Sequence, residues 1–323
     1  MCTAISFNGK NHYFGRNLDL ERRYGEVVAI TPRKYPFKFK SNNILDRHFA
    51  IIGMAAIIDD YPLYFDATNE RGLSMAGLNF VGNAYFGSQI DNKVNIAPYE
   101  LIPYLLGQYE TVAECEVALK NINVVDVSFN KDYSNAELHW IIADKKESIV
   151  LECMREGMRI YKNPVGVLTN NPPFEFHLMN LNNYIGISVA EHKNTFSDRI
   201  ELNNYSRGMG GIGLPGDFSS GSRFVRAAFA KLNSIIPKSD IECVSQFFHI
   251  LGFVEQVEGC VKVGDAFERT QYVSCCDTER GIYYYKTYEN SQISAVNMWR
   301  ENLDDDKLIS YELSYEQRIE NMN

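Results

Sequence analysis

The sequence predicts an α+β fold in which two mainly antiparallel sheets pack together with helices outside them. Short β-rich runs fill the first 80 residues and return near residues 138 and 271. Helical periodicity lies between these runs, near residues 98–122 and 224–254. Short turns join the β-rich runs, which favours hairpins and therefore antiparallel pairing.

The first strands are predicted from runs of β-branched and aromatic residues separated by polar or glycine-containing turns. Asn8-Gly9 is a strong hairpin signal between the first two runs. Asn69–Gly72 is a second turn, inside a run that extends from Tyr64 to Phe80. The other strands predicted here are Cys2–Phe7, Tyr13–Leu18, Glu26–Thr31 and His48–Ala55.

Helices and strands alternate over the rest of the chain. Thr111 with Glu114 predicts a capping box, and one helical face then carries Cys115, Ala118, Leu119 and Ile122. Further helices are predicted at Pro98–Tyr109, Pro172–Asn182, Phe224–Ile236 and Ile241–Val254, and strands at Leu138–Ala143, Ser148–Cys153, Met158–Tyr161, Gln271–Cys276, Ile282–Tyr288 and Gln292–Met298. No repeat or linker interrupts the pattern, so one domain over residues 1–323 is predicted.

Charge and composition exclude several classes of function. The net charge is −9 and no Lys/Arg-rich run occurs, which argues against binding to nucleic acid or to an anionic membrane. No stretch reaches the ~18–20 apolar residues that span a bilayer, and no targeting segment is recognisable. Seven cysteines at irregular spacing favour a reducing compartment. The expected location is the cytoplasm.

Cys2 is the candidate catalytic residue. Methionine aminopeptidases accept only a small second side chain, and cysteine is small, so we expect Met1 to be removed. Free α-amines and cysteine thiols have pKa values near ~7.7–8 and ~8.5, so an N-terminal cysteine can pass its thiol proton to its own amine. The alternative is a small buried residue that begins a strand.

A cation and a carboxylate follow Cys2 closely in sequence, within Phe14–Asp19. In a bulged or turning strand, Arg16 and Asp19 could point to the same place. Arg16 beside the sulfur would favour the thiolate, and Asp19 could hold the ammonium group. A surface ion pair, worth ~0–1 kcal/mol, is the alternative.

A series of short motifs resembles the choloylglycine hydrolases, a family that contains conjugated bile acid hydrolases and penicillin V acylases. No motif is decisive alone, but their order along nearly the whole chain is specific. The motifs are Met1–Thr3, Phe14–Asp19, Asp60–Pro62, Asn69–Leu73, Ala76–Phe80, Leu138–Trp140, Gly166–Asn170, Leu214–Asp217, Ser222–Phe224 and Gly281–Tyr285.

The resemblance implies an N-terminal nucleophile hydrolase fold, which is an αββα sandwich. It implies that Cys2 is the nucleophile and that its α-amine shuttles the proton. Arg16 would lie against the sulfur, and Asp19 would lie on the ammonium group.

Three further residues receive roles from the resemblance. Asn170 would supply the oxyanion-hole side chain, opposite the backbone N–H of Asn79, and Arg223 would close the polar network around the nucleophile. Alternatively, Asn170 is a turn residue before Pro172 and Arg223 a charge in the first turn of a helix. No cofactor and no metal are implied.

At position 79 this sequence resembles the bile acid hydrolases, which have Asn there, whereas the penicillin acylases tend to have Tyr. A conjugated bile acid joins a rigid steroid to glycine or taurine, so its site needs a wide apolar groove that ends in polar groups. The resemblance also suggests a homotetramer. The groove candidates, each of which could be a core residue instead, are Leu18, Tyr24, Ile58, Phe65, Phe129 and Tyr133.

Other interpretations are weaker or remain open. Gly208–Gly213 matches G-x-G-x-x-G, but it follows a polar stretch and precedes Pro215, so we interpret it as a loop that borders the site. His139 with Cys153 or Cys243 could form a papain-like pair, although no signature surrounds either cysteine. The same chemistry could act on penicillin V or acylhomoserine lactones. A blocked Cys2 would leave a protein that binds bile acids without turnover.

Overall fold

A computed structural model describes residues 1–40 and 44–323. Its strands are β1 (Cys2–Asn8), β2 (His12–Leu20), β3 (Glu26–Thr31), β4 (Phe37–Lys38), β5 (Ile44–Leu45), β6 (Ile51–Ile58), β7 (Tyr61–Asn69), β8 (Ser74–Asn79), β9 (Val94–Ile96), β10 (Ile122–Val124), β11 (Leu138–Ala143), β12 (Ser148–Met154), β13 (Gly157–Lys162), β14 (Val167–Leu168), β15 (Val261–Val263), β16 (Ala266–Asp277), β17 (Ile282–Thr287), β18 (Ser294–Asn297) and β19 (Ile309–Glu312). The α-helices are α1 (Leu101–Gln108), α2 (Val112–Leu119), α3 (Phe174–Asn180), α4 (Ser220–Asn233) and α5 (Asp240–Gly252). Short 3₁₀ turns cover Pro98–Glu100, Leu181–Tyr184, Met209–Gly211 and Met298–Arg300.

Two antiparallel sheets form the centre of the molecule. In the described residues, the first sheet has the order β14-β1-β2-β16-β17-β18, with β15 beside β16. The second has the order β13-β12-β11-β8-β7-β6-β3-β19. Their ladders are antiparallel, and β1 and β2 form the hairpin predicted at Asn8-Gly9. The prediction of an α+β fold with antiparallel sheets is confirmed.

Side chains of the second sheet alternate between two hydrophobic clusters, because successive residues of a strand point to opposite faces. On β6, Ile52 and Met54 belong to the cluster that also contains residues of the first sheet, whereas Ile51 belongs to a cluster with α1 and α2. Helices α4 and α5 pack on the other face of the first sheet. The layers are therefore helix, sheet, sheet, helix.

Several predicted elements differ from the observed ones. Ile122 does not continue α2; it begins β10, which pairs in parallel with β9. The capping box at Thr111 is half formed, because Thr111 accepts from the N–H of Glu114 while the Glu114 carboxylate accepts from Glu110. Helix α4 begins at Ser220, four residues before the predicted start, because Ser219 caps it.

The C-terminal strands were also predicted incompletely. Strand β16 begins at Ala266 rather than Gln271, and β19 has no predicted counterpart. In residues 1–40 and 44–323, no helix has the length and apolar character needed to cross a membrane. The single domain over residues 1–323 stays a prediction.

Candidate active site

A cavity of about 710 Å³ opens beside the N-terminal end of β1. Cys2, Arg16 and Asn79 form its polar end. Most of its wall is apolar, and its rim is polar. The apolar wall includes Leu18, Leu20, Ala56, Leu63, Phe65, Ile102, Phe129, Ala136 and Leu138, and the rim includes Arg22, Arg23, Asp132, Ser134 and Asn135.

Cys2 is 2% exposed and lies directly opposite Leu18 in the ladder between β1 and β2. Arg16 is two residues from Leu18, so the three side chains lie on the same face of the first sheet. The backbone N–H of Cys2 donates to Asn170 Oδ1 at 2.8 Å. Because Met1 precedes Cys2, this nitrogen is an amide.

The Arg16 guanidinium fills the gap where β7 and β8 separate. Their pairing ends at Asp66 and Ala76. Beyond it, Arg16 Nη1 donates to the carbonyl oxygens of Phe65 at 3.1 Å and Gly77 at 2.5 Å. Burial opposes the charge of Arg16, but attraction to the nearby anionic groups outweighs it and raises the pKa of Arg16. A permanent cation therefore lies on the same face as the Cys2 sulfur.

Asp19 does not point to the same place as Arg16, which corrects the expectation from sequence. Strand β2 is regular here, so residues three apart lie on opposite faces. Arg16 faces the second sheet, whereas Asn17 reaches Leu251 of α5 and Asp19 shares that face. Burial raises the pKa of Asp19, while Arg223 opposes that effect. Cys2 thus has a cation on one side of its sheet and a carboxylate on the other.

The Asp19 carboxylate is only partly hydrogen bonded. Its Oδ1 accepts from Thr270 Oγ1 at 2.6 Å. Its Oδ2 is buried and has no hydrogen-bond partner within the described part of the chain. The carboxylate therefore keeps capacity to accept a further donor.

Asn170 and Arg223 hold the backbone of Cys2. Asn170 Oδ1 accepts from the Cys2 N–H and from Arg223 Nη2, the latter at 2.7 Å. Arg223 Nη1 donates to the Cys2 carbonyl and to Thr3 Oγ1. These bonds orient the Asn170 amide so that its nitrogen donates to the carbonyl of Asn79 at 2.7 Å. An amide nitrogen carries two hydrogens, so one is left for a ligand.

The backbone N–H of Asn79 also points towards the cavity. The N–H of Phe80 donates to Glu137 on the β11 side at 2.7 Å. In an antiparallel ladder the N–H direction alternates, so that of Asn79 points to the β7 side. The described pairing of β8 with β7 stops three residues earlier, at Ala76.

Two buried histidines support Asn170, and sequence analysis missed this role for both. His139 Nε2 contacts the carbonyl of Thr169 at 2.9 Å, and His177 Nε2 contacts that of Asn170 at 2.8 Å. His139 Nδ1 lies 3.0 Å from Glu152 Oε1. These two contacts hold the His139 ring beside the backbone that leads into Asn170. Burial lowers the pKa of His177 to about 4.

Five of the predicted groove residues line the cavity: Leu18, Tyr24, Phe65, Phe129 and Tyr133. Ile58 does not line it, so its predicted role is wrong. Ile58 pairs with Tyr61 at the hairpin turn, whereas the cavity is lined one repeat earlier by Ala56 and Leu63.

The alternative chemistries find little support. Both ring nitrogens of His139 are engaged by Glu152 and Thr169, so His139 is not paired with Cys153 or Cys243. Residues 208–213 form a turn that does not line the cavity. Over the described ranges, no cluster of three or more His, Cys, Asp or Glu side chains is arranged to hold a metal ion.

Comparison with known proteins agrees with this geometry. Residues 2–311 match the family model of linear amide C–N hydrolases, choloylglycine hydrolase family. A bile salt hydrolase/transferase of Lactiplantibacillus plantarum is 54% identical over 98% of both chains. A crystal structure of a variant conjugated bile acid hydrolase from Clostridium perfringens is 38% identical, covers 100% of both chains and superimposes with a TM-score of 0.92.

A more distant structure supports the fold alone. Penicillin V acylase from Agrobacterium tumefaciens is 18% identical, with a TM-score of 0.78 over 97% of this chain and 92% of its own. The predicted N-terminal nucleophile hydrolase fold is confirmed by these two structural matches. The chain belongs to the choloylglycine hydrolase family of linear amide C–N hydrolases.

Proposed function

We propose that the chain is a conjugated bile salt hydrolase, which cleaves the amide bond of glycine- or taurine-conjugated bile acids. Cys2 is its nucleophile once Met1 is removed. The observation that carries this proposal is the position of Cys2 at the polar end of a cavity of about 710 Å³ with a largely apolar wall. Cavities of ~300–1,000 Å³ with a few convergent polar groups are typical of sites for small amphipathic ligands.

The reaction follows from the polar end of the cavity. The α-amine of Cys2 takes the thiol proton, and the sulfur attacks the amide carbonyl. The oxyanion accepts hydrogen bonds from Asn170 Nδ2 and the N–H of Asn79. The amine then returns the proton to the leaving nitrogen, the C–N bond breaks and glycine or taurine departs.

The resulting thioester is hydrolysed in a second step. The same α-amine takes a proton from water, and the water oxygen attacks the thioester carbonyl. The C–S bond then breaks, the sulfur stays on Cys2 and regains the proton from the ammonium group, and the free bile acid departs. Arg16 favours the thiolate in both steps because it lies on the same face of the sheet. The free acceptor Oδ2 of Asp19 supports the role of this carboxylate in holding the ammonium group.

The cavity also suits the two ends of such a substrate. Phe65, Phe129 and Leu138 offer apolar area for a steroid, and Arg22 and Arg23 lie at the rim. Arg23 is paired with Glu289, whereas Arg22 contacts the ring of Tyr24. Positive charge at the rim suits the carboxylate of glycine and the sulfonate of taurine.

We further propose a cytoplasmic homotetramer. An unmodified thiolate is required for activity, and an oxidising compartment would oxidise it. The segment 185–212 exposes large apolar side chains, including Ile185 at 86%, Phe196 at 84% and Tyr205 at 85%. Clustered exposed apolar residues are typical of protein interfaces. Light scattering on purified protein measures the assembly, and a monomer would contradict it.

Two experiments test the catalytic proposal. Intact mass of active protein should be short by one methionine residue. Cys2→Ser should reduce hydrolysis of a glycine-conjugated bile acid by at least ~10³-fold, because a hydroxyl is far less acidic than a thiol. Cys153→Ser is the matched control and should retain activity. Full activity of Cys2→Ala, or a full-length mass on active protein, would overturn the mechanism.

A further inference from the structure

Asp66 is a buried carboxylate that takes no part in the reaction described above. It lies on β7 and is 1% exposed. Three hydroxyl groups of the first sheet donate to it: Tyr272 Oη at 2.7 Å, Ser274 Oγ at 3.0 Å and Tyr283 Oη at 2.6 Å. A charged side chain inside a packed layer is costly unless other groups compensate its charge.

Arg16 is a cation that offsets part of this charge. The Arg16 guanidinium donates to the carbonyl of Phe65, the residue before Asp66, at 3.1 Å. The backbone N–H of Arg16 donates to Ser274 Oγ at 3.0 Å, and the same oxygen donates to Asp66. Asp66 and Arg16 therefore share two neighbours, although they belong to different sheets.

The electrostatics of the two groups agree with this geometry. Burial raises the pKa of Asp66, while Arg16 and the three hydroxyl donors oppose that effect. The pKa of Arg16 is raised against burial by Cys2, Tyr272, Asp66 and Asp19. The Cys2 thiolate and the Asp66 carboxylate thus compete for one cation.

We propose that Asp66 is a positioning residue that acts through Arg16: its carboxylate balances part of the guanidinium charge and so sets how strongly Arg16 favours the Cys2 thiolate. This inference rests on the proposed role of Cys2 as nucleophile. Arg223 of α4 also acts electrostatically on Cys2, and Asp19 of β2 also acts on Arg16. In the processed enzyme the α-amine of Cys2 is a further titratable group beside the sulfur.

Among the residues that the structure describes, few titratable groups face Asp66. They are Arg16 of β2, Tyr272 and Cys276 of β16 and Tyr283 of β17.

The alternative is that Asp66 only joins the two sheets. It predicts that removing the carboxylate lowers stability but does not change the reactivity of the sulfur.

Asp66→Asn tests the proposal on the processed enzyme. The amide keeps the shape of the carboxylate, and the three hydroxyl groups can donate to its oxygen or accept from its nitrogen. Without the competing anion, Arg16 should favour the thiolate more strongly. The pH at which Cys2 is half reactive towards iodoacetamide should fall by about half a unit to one unit, as expected for the loss of one nearby like charge.

A second variant and a control sharpen the measurement. Tyr283→Phe removes one hydrogen-bond donor to Asp66 and therefore raises the pKa of the Asp66 carboxyl group. It should lower the same midpoint by a smaller amount. Tyr285 lies on the same strand, but its hydroxyl accepts from the N–H of Ser314 and does not contact Asp66. The control variant Tyr285→Phe should therefore leave the midpoint unchanged. Labelling is read on the Cys2 peptide by mass spectrometry, because Cys260 is exposed and also reacts.

The outcomes separate this inference from the proposed function. If the midpoint of Cys2 labelling is unchanged or raised in Asp66→Asn while the melting temperature falls, Asp66 has only a structural role and the proposal is wrong. If Asp66→Asn does not fold, an unchanged midpoint in Tyr283→Phe overturns the proposal instead. Labelling needs no substrate, so a lowered midpoint stands even if the enzyme fails to hydrolyse bile acid conjugates, which would refute only the proposed function.

Discussion

Asn170→Asp separates the role of the Asn170 amide nitrogen from the role of its oxygen. The substitution keeps the size of the side chain and an oxygen that can accept from the Cys2 N–H and from Arg223. It replaces the nitrogen, which donates to the Asn79 carbonyl at 2.7 Å, by a second acceptor. The donor to the oxyanion is lost, and two oxygens now face each other.

The expected magnitude follows from these contacts. Loss of one oxyanion donor typically costs ~10²–10³ in kcat, or about 3–4 kcal/mol in the activation free energy. The lost hydrogen bond to Asn79 lowers the free energy of unfolding by ~1–3 kcal/mol. The adjacent Arg223 compensates the new negative charge, so the protein should still fold. KM should change little, because the apolar wall that binds the steroid is unchanged.

Steady-state hydrolysis of a glycine-conjugated bile acid gives both constants, and urea unfolding gives the stability. Asn171→Asp is the matched control, because the Asn171 nitrogen also donates to a backbone carbonyl, that of Val81, at 2.7 Å. It should retain kcat within ~3-fold, since no oxyanion donor is removed. A kcat within threefold of wild type for Asn170→Asp, or an equal loss in both variants, would refute the assignment.

Three further predictions concern the groove, the buried histidines and the substrate. Phe65→Ala should raise KM for conjugated bile acids by ~10-fold through lost apolar contact, whereas Ile58→Ala should leave it unchanged; an equal effect would mean a different binding surface. Burial lowers the pKa of both His177 and His12 to about 4 in the folded protein. Between about pH 4 and ~6.5 the unfolded chain therefore binds more protons than the folded protein, so the free energy of unfolding falls as the pH drops through that window. His177→Gln should remove about half of that fall in urea unfolding, and an unchanged slope would contradict this. Asn79→Tyr should lower kcat/KM for conjugated bile acids by ~10–100-fold but not for penicillin V, and an equal loss on both would exclude a role in specificity.

The sequence predicted those parts of the site that depend on local order. Cys2 and Arg16 belong to one hairpin, so their residue types and their closeness in sequence suggested a contact, although a surface ion pair was the alternative until the family resemblance was added. Asn170 and Arg223 lie 168 and 221 residues from Cys2, and only the family resemblance assigned them. Asp66 was missed because its hydroxyl donors are more than 200 residues away. A lone aspartate inside a β-rich run was the only signal for it.

The Phe14–Asp19 motif can be explained by the contact between β2 and β16. A Cβ atom on Gly15 would lie 2.1 Å from the carbonyl oxygen of Ser274, so only glycine allows the two strands to approach this closely. That approach brings Ser274 Oγ to the N–H of Arg16 and connects it to Asp66. Because β2 is otherwise regular, the same strand directs Arg16 towards the second sheet and Asp19 towards the helices. Gly15 therefore allows β2 and β16 to approach closely. Strand β2 in turn carries Arg16 on one side of the nucleophile and Asp19 on the other.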